Sequence, residues 1–84
     1  MNVNVQQRVI KVVSEVSNLR EQQIKLEASL SNDLNMDSLQ RMTLYIALED
    51  EFQNTMPPEE VTGLATVRDI IAFIDKRIQE LPPA

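Results

Sequence analysis

Apolar residues recur along the first part of the chain with the spacing of one helical face. Val5, Val9, Val12, Val13 and Val16 stand at i, i+4, i+7, i+8 and i+11, which predicts a helix over about 4–19 packed on one side. Valine favours strands by propensity, but Arg8, Lys11 and Glu15 fall on the opposite helical side and strict alternation fails. The helical period therefore prevails. Residues 20–36 show no clear period and contain neither glycine nor proline. Loops beyond ~12–15 residues are uncommon in small domains and are often functional. Ile24, Leu26, Leu30 and Leu34 are spread through this one, which predicts a loop pinned onto the helices rather than a flexible linker.

A second helix is expected to begin at Asp37 and run to about Phe52. Asp is a favoured N-cap, and Gln40 three residues later completes a capping-box pattern. Leu44, Leu48 and Phe52 form an inward row spaced by four, and Leu39, Met42 and Ile46 form a second row. One core face of a short helix does not need both. The second row is either extra core or an exposed docking strip. Residues 56–61 fit a short helix, with Pro57 and Pro58 in a first turn where a missing N–H costs nothing and Glu59 and Glu60 beside the helix dipole. Gly63, the single glycine, is placed to end it. Thr66 then caps a last helix, with Asp69 at the third position. Val67, Ile70, Ile71, Ile74 and Ile78 form its stripe, Phe73 widens it, and Lys76 and Arg77 suit its C-terminal end. Residues 80–84 read as a tail. The expected architecture is all-α: a small bundle of four helices, three main and one short, forming a single domain over 1–84 with its core at about 4–79.

Composition narrows the chemistry. The 84 residues include no cysteine and no histidine, so there is no thiolate, no disulfide and no imidazole base or metal ligand. A Ser-His-Asp centre is impossible, and no metal site is expected. No apolar run approaches the ~18 residues of a membrane span. The first six residues lack the basic start and apolar run of a secretion signal. A cytoplasmic monomer is the expectation. The net charge of −5 is uneven. Residues 1–30 sum to +1, residues 31–60 to −6, and the last 24 balance. That distribution disfavours nucleic acid, whose phosphates it would repel, and suits partners with basic patches. Acidic helices can equally be soluble surface and nothing more.

Ser38 stands in Asp33-Leu34-Asn35-Met36-Asp37-Ser38-Leu39, which puts a primary hydroxyl at the mouth of the second helix. Such a hydroxyl is rigidly placed and open to another enzyme. A nucleophilic Ser38 has no local base other than carboxylates, so hydrolase chemistry is set aside.

Asp37-Ser38-Leu39, preceded by Asp33-Leu34 and followed by Leu44, Leu48, Glu49, Glu51 and Phe52, resembles the acyl carrier protein family. Ala28-Ser29-Leu30 and Thr66-Val67-Arg68-Asp69-Ile70 look like its flanking segments, and the resemblance covers about 5–78. It implies that Ser38 carries 4′-phosphopantetheine, placed there by a phosphopantetheinyl transferase, and that acyl groups ride on this arm as thioesters between acyl-processing enzymes with basic docking patches. No catalysis by the chain itself is expected. The resemblance further implies partner contacts at Asp37, Leu39, Met42, Ile46, Glu49 and Asp50, with Asp37 also capping its helix. Glu51 is similar to a partner-facing acid and equally to a solvated one. Asn35 stands where the family often has glycine, and asparagine tolerates left-handed backbone better than most residues. Gln40 and Thr43 replace acids common in fatty-acid-synthesis carriers, and Arg41 adds a positive charge between them. These departures suggest a specialised carrier for a dedicated ligase, synthase or transferase. A peptidyl or aminoacyl carrier, and an unmodified helical adaptor binding partners through the Ser38-to-Asp50 helix, are the alternatives. The aliphatic core also makes burial of an attached acyl chain between the helices reasonable, at roughly 0.8 kcal/mol per CH₂.

Overall fold

The apolar stripes become helices where the sequence places them. The computed structural model describes residues 3–80. Among these, four α-helices occur in the order α1 (Val3–Ser17), α2 (Ser38–Phe52), α3 (Pro58–Val61) and α4 (Val67–Glu80). The fold is the expected small all-α bundle with three main helices and one short one. Of the tail expected at 80–84, Glu80 instead closes α4, and the rest lies outside the described residues.

α1 packs on both α2 and α4. Val5, Val9, Val12 and Val13 are buried, as are Leu44 and Leu48 of α2 and Val67, Ile70, Ile71 and Ile74 of α4. Val16, Phe52 and Phe73 lie half-buried at the margin of this core. Ile78 does not join its predicted stripe. It is 38% exposed, one turn beyond Ile74, where α4 has passed the last of the core. The core leaves little free space. A cavity bordered by Leu48, Phe52, Met56, Phe73 and Ile74 measures about 10 Å³, at most the room of one water. An acyl chain could enter there only by displacing side chains.

α1 stops two residues before the expected Leu19. Asn18 takes a left-handed conformation (φ 61°), and the Leu19 N–H donates to the Ser14 carbonyl at 3.2 Å, closing the last turn in the manner of a Schellman cap. Gln53 ends α2 in the same way (φ 51°), with the Asn54 N–H donating to the Glu49 carbonyl. α3 begins at Pro58 rather than Met56, because the buried Met56 belongs to the preceding loop, its N–H held by the Glu49 carboxylate at 2.7 Å. Gly63 has no positive φ. It does not end α3 through a left-handed cap, and a β-carbon there would meet nothing within 4 Å.

The loop between α1 and α2 is packed, as its leucines predict. A single 3₁₀ turn (Glu21–Gln23) opens it. Ile24, Leu30 and Leu34 are buried and Leu26 half-buried. A second fastening was not visible in the pattern: Ser29 and Thr66 form an isolated antiparallel bridge. Around it the Leu30 N–H donates to Ala65, Val67 N–H to Ala28, and Arg68 N–H to Leu26. The loop thus supplies acceptors for first-turn N–H groups of α4 that no helical carbonyl can reach. Thr66 and Asp69 complete that end. Thr66 Oγ1 accepts from the Asp69 N–H at 3.2 Å, and Asp69 Oδ2 accepts from the N–H groups of Ala65 and Thr66 at 3.0 and 3.1 Å. The Ala65 N–H foremost holds the Asp69 carboxyl below the usual aspartate range; burial opposes it, and the backbone and side chain of Thr66 add to the lowering.

Candidate functional site

The loop delivers the chain to α2 through a short sequence of backbone constraints. Asn35 is left-handed (φ 55°), as expected of a residue standing in for glycine. The Met36 N–H donates to the Leu30 carbonyl at 2.9 Å and its side chain is buried. Asp37 is then extended (φ −81°, ψ −177°), and its Oδ1 accepts from the Gln40 N–H at 2.8 Å. Asp37 is the N-cap that the sequence predicts. Ser38 becomes the first residue of α2, exposed, on a segment anchored on both sides.

The second apolar row of α2 points outward. Leu39 is 71% exposed, Met42 59% and Ile46 62%, so the row is not extra core. Three large apolar side chains in succession on one exposed face form the kind of patch that marks an interaction surface. The acids beyond it divide in two. Asp50 is exposed. Glu49 is half-buried, and one carboxylate oxygen already holds the Met56 N–H. Glu51 is not a free surface acid. Its carboxylate pairs with Arg8 at 2.7 Å, Arg8 also donates to the Glu51 carbonyl, and the guanidinium lies 4.4 Å from the centre of the Phe52 ring. Arg8 thereby fixes the C-terminal end of α2 to α1, where a cation also suits the helix dipole.

Two residues beside Ser38 were not singled out by sequence reasoning. Ser38, Arg41, Met42 and Tyr45 share a face of α2 and, with Thr62, line a groove of about 210 Å³. The signal was present in the spacing i, i+3, i+4, i+7 counted from Ser38. Thr62 carried no such signal, because only the placement of α3 brings it there. The Tyr45 hydroxyl donates to the Val61 carbonyl at 3.3 Å, tying α2 to the end of α3. Burial pushes the phenol above the usual tyrosine range, and the Arg41 guanidinium pulls in the opposite direction.

Ser38 is exposed and is followed one turn later by the half-buried Arg41. No helix among the described residues is long and apolar enough to cross a membrane. In comparison with models of known protein families, residues 7–74 match the phosphopantetheine attachment site family. That match spans most of the chain, from the second turn of α1 to Ile74 in α4, and the chain therefore belongs to this family of acyl-carrier-type domains.

Proposed function

We propose that Ser38 is the attachment point of 4′-phosphopantetheine and that the protein is an acyl carrier presenting its cargo to separate enzymes. The observation that carries this reading is the exposed Ser38 on the first turn of α2, followed by the exposed row Leu39, Met42 and Ile46. A transferase would bring coenzyme A to Ser38. The Ser38 oxygen then forms a bond to the phosphorus nearer the pantetheine, the pyrophosphate P–O bond breaks, adenosine 3′,5′-bisphosphate leaves, and the hydroxyl proton passes to a base on the transferase. The attached arm supplies the thiol that the cysteine-free chain lacks and holds acyl groups on it as thioesters.

Partner enzymes would meet Asp37 at one end of the face, Leu39, Met42 and Ile46 along it, and Glu49 and Asp50 at the other end. Asp37 serves twice, since an N-cap carboxylate with two oxygens retains acceptor capacity after binding one N–H. Glu49 likewise has an oxygen to offer. Between Asp37 and Glu49, α2 contains no acid and one base, Arg41. This supports a specialised carrier whose partners do not require a continuous basic patch, and an acyl rather than a peptidyl cargo in view of the acid before Ser38. Equal use by housekeeping fatty-acid enzymes of this protein and of their own carrier would refute the specialised reading.

The test of the carrier itself is intact mass after incubation with coenzyme A and a broad-specificity phosphopantetheinyl transferase. One phosphopantetheine increment is expected on the native sequence and none on Ser38→Ala. No increment on folded protein, with broad and host transferases alike, would instead favour an unmodified adaptor docking through the same face.

A further inference from the structure

The two flanks of α2 differ in electrostatic character beside the row Leu39, Met42 and Ile46. On the α3 side lies the groove of Ser38, Arg41, Met42, Tyr45 and Thr62. Arg41 is half-buried, and its side chain forms no ion pair with a described residue. On the α1 side a second groove is rimmed by Glu15, Asp50 and Glu51. A phosphodiester on Ser38 would have a cation one turn away on the first flank, whereas on the second the carboxylates lie beyond Gln40 and Thr43, and that of Glu51 is already paired with Arg8.

We propose that the groove on the α3 side seats the stem of the arm, with Arg41 as the positioning residue that pairs with its phosphodiester. This rests on the attachment to Ser38 proposed above. Three features converge on it. Ser38 is itself part of the groove wall, so the stem enters without crossing open surface. Guanidinium and phosphate match through charge-assisted and frequently bidentate hydrogen bonds. The remaining wall offers a thioether, a phenol ring and a threonine methyl, which suit the gem-dimethyl carbon of the pantoyl unit. The Tyr45–Val61 hydrogen bond holds that wall together across the two helices. A seated stem would hold the arm toward α3 and leave Leu39 and Ile46 uncovered for a partner.

The test compares holo-protein with Arg41→Gln and Arg41→Lys, each first shown by mass to be fully modified. Nuclear Overhauser contacts between the pantoyl methyls and Tyr45 or Thr62 are expected in the native holo-protein. They should be lost in Arg41→Gln together with a displacement of the ³¹P resonance, and retained at least in part in Arg41→Lys. Circular dichroism should show the same helix content in all three. Fully modified native protein without those contacts, or with a ³¹P resonance unchanged by Arg41→Gln, would overturn the seating and leave the carrier reading intact. Absence of any mass increment on the native protein would overturn both.

Discussion

α2 and α4 are nearly equal in length, at 15 and 14 residues, and each begins with a carboxylate engaging backbone N–H groups. They differ in where their apolar side chains go. α4 turns Val67, Ile70, Ile71 and Ile74 inward, and of its large apolar side chains only Ile78, in the last turn, is exposed. α2 buries Leu44 and Leu48 and exposes Leu39, Met42 and Ile46. The first helix is explained by the bundle it completes. The second carries more apolar surface than the bundle can use, and the excess is contiguous and begins next to Ser38. A helix built this way buries one apolar face and leaves a second open to solvent.

The sharpest way to break the comparison is to truncate inward residues on both helices. Leu48→Ala and Ile71→Ala should each cost about 2–5 kcal/mol, read as a lower urea midpoint, a large share of the stability of so small a domain. Ile46→Ala, from the outward row, should change stability by no more than ~0.5 kcal/mol. If the outward row is a docking surface, Ile46→Ala should instead lower kcat/KM for phosphopantetheine transfer onto Ser38, by roughly five- to thirty-fold for an anchor worth 1–2 kcal/mol. An unchanged kcat/KM for this variant and for Leu39→Ala would remove the transferase from the partners of this face.

The caps offer a finer contrast. Asp37→Ala and Thr66→Ala should each cost about 1 kcal/mol. The α4 cap should also show a pH signature. Because the Asp69 carboxyl is held below its ordinary value, its contribution is fully present above about pH 4 and is lost as pH falls through the lower, folded value. Asp69→Asn should flatten the stability profile in that acid window, measured by thermal melts between pH 5 and 2. The smallest effect is spectroscopic. Tyr45 is the single tyrosine of a chain without tryptophan, so absorbance near 295 nm reports it alone. Its midpoint should lie above the ordinary tyrosine value, and Arg41→Gln should raise it further by removing the opposing charge. A midpoint that does not rise in Arg41→Gln would mean that the guanidinium does not act on the phenol.

Much of this could be read from side-chain periodicity. The stripe of α1 and the inward row of α2 lie where the spacing puts them, and Asp37 and Thr66 cap the helices they precede. The outward row was visible as a surplus, but exposure depends on what packs against α2, which one helix cannot specify. Asn18 illustrates a local signal outweighed by the period, since Val16 and Leu19 continue the stripe past the residue that ends α1. Gly63 illustrates the reverse, a familiar signal at a position that does not use it. Ion pairing of Arg8 with Glu51 and the meeting of Thr62 with Ser38 arise from tertiary placement. No spacing rule reaches across 43 residues, the separation of the first pair.

The bridge between Ser29 and Thr66 also shapes the order in which parts of the molecule come undone. First-turn amides of a helix usually exchange quickly with solvent, because no helical carbonyl protects them. In α4, Val67 and Arg68 donate instead to Ala28 and Leu26, about forty residues earlier in the chain, within a loop whose Ile24 and Leu30 are buried in the core. Releasing those two amides means lifting the loop from the bundle, an opening close to unfolding of the whole. Hydrogen exchange should therefore find the N-terminal end of α4 among the slowest places in the protein, while its last turn frays. The segment that leads to Ser38 should thus be held by some of the most persistent contacts of the fold, even though it has no α-helix of its own.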